Sequence, residues 1–401
     1  MNTATKTVLW WGRFDPDYSR NRILRQAYAA LGWKIADFQP FLSPLGDLEA
    51  RLRRPARADL VHVPCFRQRD IAAAARYARR QHIPLLIDPL ISAYDKQVFE
   101  RAKFPADSAR AKRLLHSENR LMQNAGIVLA DTPEHVRFFT DTLGVERAKL
   151  HVVYVGAEEP LFFPTAMDGG RFGLLPSRGI TPSMEGRSAG REAVPTGTNA
   201  GAVFRPAPAQ TPGTPIEVLF YGSFIALQGA EVIVDAARAY RGPALRWVLL
   251  GNGPLLETCK QNAQGLTNVV FENWLPYAQL PARIRHADIL LGVFGTTPKA
   301  QRVIPNKVFQ ALACGKPLVT CRAPAYPAGL MEGGNSGITW VPAGDSAALA
   351  ARVAELAHHP ERFATLGRAA RSSYEKFFSA DAIRRQLQLA LAALPLTPAR
   401  G

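Results

Sequence analysis

Four cysteines, five methionines and an acidic complement well below the basic one are what this 401-residue chain has little of. Cys65, Cys259, Cys314 and Cys321 share no short spacing, which excludes a disulfide framework and a thiolate zinc site. They read instead as small buried apolar residues in a reducing compartment. None of the eight histidines joins a cysteine or carboxylate at metal-ligand spacing, so no metal cofactor is expected. No apolar run approaches the roughly 20 residues that span a bilayer. Residues 1–6 carry one cation and run directly into a short apolar stretch, without the longer apolar segment and small-residue cleavage site of a removable signal. The expectation is a soluble, cytoplasmic chain.

Against 33 Asp and Glu stand 49 Lys and Arg, a formal net charge of +16. In the first half the excess is concentrated, with nine arginines between Arg51 and Arg80. Solvated helix faces in an arginine-rich protein are one reading. A second is a basic 51–120 face drawn to an anionic membrane, at about 1 kcal/mol per cation near the surface. That reading would hold the protein at the inner face of the membrane. A third is nucleic acid. No aromatic-interleaved basic motif or binding module accompanies the charge, so a nucleic-acid partner is not expected.

With 47% apolar and 20% charged residues the chain forms a core, and its length suits two domains of about 150 residues and a connection. Short apolar runs at 7–11, 60–64, 84–87, 125–130 and 150–155 alternate with helical stretches, and the alternation restarts at 218–221, 246–250, 269–271, 289–293 and 317–320. The pattern predicts an α/β protein with parallel sheets covered on both faces. Residues 166–214, rich in Gly, Pro, Ser, Thr and Ala, separate the halves and read as a flexible linker or insertion. The expected division is 1–165, the linker, 215–378, and a terminal segment 379–401 holding an amphipathic helix.

Ligands of open parallel sheets bind outside the carboxyl ends of the strands. After the first strand of the second half come Gly222, Ser223 and Gln228, and after the next strand Gly251 and Gly253. Residues 299–320 read as a basic loop, a helix with Pro305 at its first position, a stop at Gly315 and a buried strand. Its free N–H groups, beside Lys299, Arg302, Asn306 and Lys307, suit a phosphate or diphosphate. In the first half Asp88 ends a predicted strand and Asp95 lies seven residues on. Asp88 either stabilises positive charge or orients a hydroxyl in a reaction, or caps the following helix. Gly12, Arg13 and Arg20 follow the first strand, a place for a ligand phosphate or a second substrate, with a surface charge as the plain alternative for Arg20. His135 and Glu158 are weaker candidates.

The segments VLFYGSFIALQGAEVIVDAA, WVLLGNGP, VVFENWLPYAQLPARIRHADILLG, RVIPNKVFQALACGKPLV and GLMEGGNSGITWVPAGDSAALAARVAEL follow one another through 216–378. In order and spacing they resemble the nucleotide-sugar-binding domain of the family-four glycosyltransferases, the retaining group with the GT-B fold. WWGRFDPDYSRNRIL, LLIDPLISAYDK and KLHVVYVGAEEPLFFP resemble the first domain more loosely. The resemblance implies two Rossmann-like domains facing each other across a cleft, with the donor in the second and most of the acceptor in the first. It also implies a final helix that crosses back to the first domain.

The family's two signature glutamates, separated by seven residues, are here Arg302 and Gln310, and its diphosphate-clamping Arg and Lys fall at Ser223 and Gln228. Gln310 retains amide hydrogen bonding for ribose hydroxyls without charge. The expected activity is transfer of a sugar from a nucleoside diphosphate to an acceptor hydroxyl. Lys299, Arg302 and Lys307 would neutralise the diphosphate, no metal would be needed, and the acceptor would be a glycan or its lipid-linked precursor. The rival readings are a non-catalytic GT-B partner that binds a nucleotide sugar, a basic nucleic-acid-binding protein, and a GT-B epimerase acting on the nucleotide sugar itself.

Overall fold

The computed structural model describes residues 5–101, 103–164 and 215–394. The first sheet consists of β1 (Thr7–Trp11), β2 (Lys34–Phe38), β3 (Leu60–Val63), β4 (Leu85–Ile87), β5 (Ile127–Ala130) and β6 (Leu150–Val152) in the order β2-β1-β3-β4-β5-β6. The second consists of β7 (Ile216–Ser223), β8 (Leu245–Asn252), β9 (Val269–Glu272), β10 (Ile289–Leu291), β11 (Leu318–Cys321) and β12 (Ile338–Val341), ordered β12-β11-β10-β7-β8-β9. Every pairing is parallel. The inner strands β5 and β10 are buried on both faces, as their unbroken apolar runs require, and β3 is buried throughout with His62 as its single polar residue. Strand order reverses beside β1 and beside β7, and open parallel sheets bind their ligands outside the carboxyl ends of the strands at such positions.

Two strands were not apparent as apolar runs. β2 (KIADF) and β12 (ITWV) are both sheet edges, mostly half-exposed, so they need no continuous hydrophobic stretch. β7 and β8 also run further than their apolar cores, pairing Gly222 with Gly251 and Ser223 with Asn252. The 166–214 stretch expected as a linker lies outside the described residues, apart from which the chain passes from the first sheet through residues 154–162. There Tyr154, Val155, Ala157 and Phe162 pack with Phe309 and Phe378 of the second half in one core. The Ala380–Ala392 helix buries Ile383, Leu387 and Ala390 against Val8, Trp10, Leu24 and Ile127 beneath the first sheet. Among the described residues no helix is long and apolar enough to cross a membrane.

Candidate active site between the two sheets

On the second sheet the site is built around the end of β7. The Asn306–Ala313 helix begins one residue later than expected, with Pro305 in extended conformation as its N-cap. Gly315 is left-handed, and Lys316 N–H reaches Ala311 O at 3.1 Å in a six-to-one closure of the helix end. Lys307, in the first turn, does not extend into solvent. Its ammonium is buried, 3.7 Å from the centroid of the Phe220 ring, with no hydrogen-bond partner among the described residues. Burial holds its pKa well below the ordinary lysine range. The buried Oε1 of Gln228 is also unpartnered. A Cβ on Gly222 would stand 3.1 Å from Lys307 Nζ and 3.9 Å from Gln228 Oε1, so both groups converge on this glycine. Ser223 and Asn306 are exposed beside them.

The other glycines answer to packing. A Cβ on Gly251 would fall 1.9 Å from Gly222 O, and one on Gly253 2.6 Å from Phe224 N and O, with φ of +145° and +154°. Close approach of the two strand ends, rather than approach of a ligand, therefore fixes these residues as glycine. Gln310 is likewise engaged within the protein, its Oε1 3.0 Å from the Tyr221 hydroxyl.

The three-cation grip expected from the sequence is divided in the structure. Lys299 Nζ pairs with Glu100, and Arg302 pairs with Asp95, both carboxylates belonging to the first half of the chain. The Thr132 hydroxyl donates to Arg302 O at 2.6 Å, and the guanidinium lies 4.7 Å from the centroid of the Phe138 ring. The local windings make this double pairing possible. Pro298–Gln301 is a 3-10 turn, in which residues three apart eclipse, and Lys96–Glu100, which follows Asp95, is a π-helix, hydrogen-bonded between residues five apart. Lys299 and Arg302 are three apart, and Asp95 and Glu100 are five apart. Glu118 holds the same loop, accepting from Ser92 Oγ at 2.7 Å and from the N–H groups of Ala93 and Tyr94 at 2.7 and 2.9 Å.

Asp88 is not presented to a substrate in this structure. Its two oxygens accept from Arg20 Nε and Nη2 at 2.9 and 3.1 Å, and both residues are fully buried. Arg20 Nη1 also donates to Val153 O and Tyr154 O at 2.7 and 2.8 Å. Burial raises the Asp88 pKa while the guanidinium pulls it down. The pair therefore ties the ends of β4 and β6 to the first helix, and neither residue is free for acceptor or proton. Of the other acceptor-side candidates, Arg13 is exposed, and Gly12 faces the Arg67–Asp70 ion pair, 3.2 Å from a Cβ placed there.

Two arrangements stand out among the weaker candidates. His135 Nδ1 pairs with Asp131 at the end of β5, and its buried Nε2 has no partner among the described residues. Their spacing of four on the Pro133–Asp141 helix start was readable, but the burial that isolates Nε2 was not. Glu158 pairs with Arg22 at 2.6 Å and accepts from the Tyr277 hydroxyl across the two halves. Among the described residues no three His, Cys, Asp or Glu side chains group as a metal ion would require.

Comparison with known proteins places both halves. Residues 215–359 match the family described as glycosyl transferases group 1, and residues 15–156 match the glycosyl transferase 4-like domain. A protein of Escherichia coli K12 named as a colanic acid biosynthesis glycosyltransferase, WcaL, is 30% identical over 200 residues, 48% of either chain. O-antigen chain mannosyltransferase C of Escherichia coli is 27% identical over 41% of this chain and 43% of its own. The matched length is thus about half of each relative. The crystal structure of HepE from Anabaena in complex with UDP superposes with a TM-score of 0.62 over 97% of this chain and 100% of that one, at 14% identity.

Proposed function

Because the chain belongs to the glycosyltransferases of GT-B fold, we propose that it transfers a sugar from a nucleoside diphosphate to an acceptor hydroxyl during assembly of a cell-surface glycan. The observation that carries this is the buried, unpaired ammonium of Lys307 beside the unpaired Gln228 oxygen under Gly222. A buried charge with no partner is costly, and an anion arriving at the helix start would supply the partner. The diphosphate therefore sits at Gly222, Ser223, Asn306 and Lys307, where the ammonium and the free N–H groups stabilise charge developing on the leaving group. As the bond from the anomeric carbon to the phosphate oxygen breaks, the acceptor oxygen bonds that carbon. With Asp88 closed off by Arg20, the proton passes to the departing phosphate oxygen, and by family resemblance the anomeric configuration is retained.

UDP is the first nucleotide to test, since HepE shares the fold and is solved with it. Relatives named for colanic acid and O-antigen chains support a glycan acceptor. We take that acceptor to be lipid-linked and the basic 51–120 region to bring the protein to the inner, anionic face of the membrane. The test is a thermal-shift panel of nucleoside diphosphates and their sugars. A ligand at one hundred times its Kd adds about 2.7 kcal/mol of stability. The best responder names the donor, and no response from any of them refutes the donor site. Transfer should persist in EDTA; a rate abolished by chelation and restored by Mg²⁺ would put a metal ion in the role given to Lys307.

One observation favours a second reading. With Arg302 and Gln310 at the signature positions, and both engaged by protein partners, a non-catalytic nucleotide-sugar-binding protein has the same site. Donor hydrolysis or transfer by the purified protein decides against it.

A further inference from the structure

The 41–53 segment inverts the usual arrangement of a surface helix. Gly46–Arg53 packs onto the first domain through Gly46, Asp47 and Ala50, its small and acidic residues. Its large apolar residues face away from the core. Leu48 and Leu52 are 47% and 85% exposed, and the preceding turn exposes Phe41, Leu42 and Leu45 at 81%, 56% and 49%. Single exposed leucines need no explanation, but five large apolar side chains within twelve residues form a patch.

The patch is held rigidly in place. Asp47 pairs with Arg76 at 2.7 Å and with Arg80, fixing the helix to the Ile71–Gln81 helix. Glu49 accepts from Phe41 N–H and from Arg53 Nη1, both at 2.6 Å, which fixes the turn. Cations ring it. Arg51, Arg54 and Arg57 are exposed and have no acidic partner among the described residues. An open groove of about 770 Å³ is lined by Leu45 and Leu48, by Asp47 with its partners Arg76 and Arg80, and by Arg79.

We propose that this face is a membrane-insertion surface: Phe41, Leu42, Leu45, Leu48 and Leu52 enter the headgroup–acyl boundary while the surrounding arginines contact anionic headgroups. Leucine and phenylalanine flanked by exposed arginine is the composition of elements that lie in a bilayer interface. The charge commits the occupant to an anionic lipid surface rather than a second copy, because two such faces would bring their arginines together. The inference rests on the membrane reading above and deepens it, since the charge excess at 51–120 alone implies only electrostatic adsorption. The face also adjoins the cleft. Ser43 accepts from Arg67 at 3.2 Å, and Arg67 abuts Gly12 at the end of β1. A bilayer seated here would deliver a lipid-linked acceptor to the acceptor side.

Two measurements test it. The first is sedimentation with phosphatidylglycerol-containing vesicles and with pure phosphatidylcholine, using the full chain, Leu48→Glu/Leu52→Glu, and Arg51→Gln/Arg54→Gln/Arg57→Gln. The full chain should bind anionic vesicles selectively, and each variant should weaken binding at least tenfold without changing the thermal midpoint. The second exploits the burial of all four native cysteines. Leu52→Cys carrying an environment-sensitive fluorophore should shift to the blue on anionic vesicles. Loss of binding in the arginine variant alone, with no blue shift, overturns insertion and leaves adsorption standing. Absence of vesicle binding by the full chain overturns both. A dimer in solution that Leu52→Glu abolishes makes the face a contact between copies and also overturns the proposal.

Discussion

Lys307 places an ammonium where burial opposes its charge, and its protonation is therefore coupled to both folding and ligand. In the unfolded chain it titrates near 10.5, whereas in the folded protein its pKa is well below that value. Between the two the unfolded chain holds the additional proton, so this residue makes stability rise with pH across that interval. Lys307→Met should remove that slope. It should also raise stability near neutral pH by about 1–3 kcal/mol, since a buried polar group without a partner is replaced by an apolar one. At the same time the thermal response to nucleoside diphosphates should vanish. Urea unfolding from pH 7 to 10, with and without ligand, reads all three effects, and a variant as pH-sensitive as the parent would clear Lys307 of the role. Arg20 presents the opposite case. Arg20→Met leaves the Asp88 carboxylate buried without its counterion, which should cost about 3–5 kcal/mol. Restoring the balance with Asp88→Leu in the same protein should recover much of it.

At the scale of elements, legibility followed burial. The eight inner strands were visible because strands buried on both faces are mostly apolar, and the edges β6 and β9 because their segments are mainly apolar as well; the edges β2 and β12 have no such run. The helix after Pro305 was legible in its punctuation, proline before and glycine after, so its ends were placed within a residue. What its cations do was not legible. Spacing alone cannot distinguish a lysine aimed at a ligand from one paired with a carboxylate two hundred positions away, as Lys299 is with Glu100. Asp88 shows the same limit, since its partner Arg20 is 68 residues distant. The last helix can be tested as an element. Leu387 is fully buried beneath the first sheet, and Leu387→Ala should destabilise the protein by about 2–5 kcal/mol. Hydrogen exchange should show the loss in β1 and β5, which share that core, and an effect confined to β7–β12 would contradict the packing.

Across the whole molecule the two halves meet through opposite charges as well as through the shared core at Phe309 and Phe378. Lys299–Glu100 and Arg302–Asp95 are pairs in which one side chain of each is almost wholly buried, so they are screened less than surface pairs. A diphosphate at Lys307 is a rival anion for the same two cations, which stand at the start of the same helix region. Competition of this kind has a sign. Asp95→Asn with Glu100→Gln removes the internal competitors but keeps side chains of the same shape, so Lys299 and Arg302 become available to the ligand. Nucleoside diphosphate should then bind about tenfold more tightly, roughly 1.4 kcal/mol. The same change weakens the contact between halves, so the radius of gyration in solution scattering should rise for the variant and fall back on adding ligand. Tighter binding together with ligand-driven compaction would mean that the three cations expected to act together do so by exchanging carboxylate for phosphate. Binding weakened by the double substitution would instead show that the two ion pairs position the cleft, and that Lys307 meets the diphosphate without them.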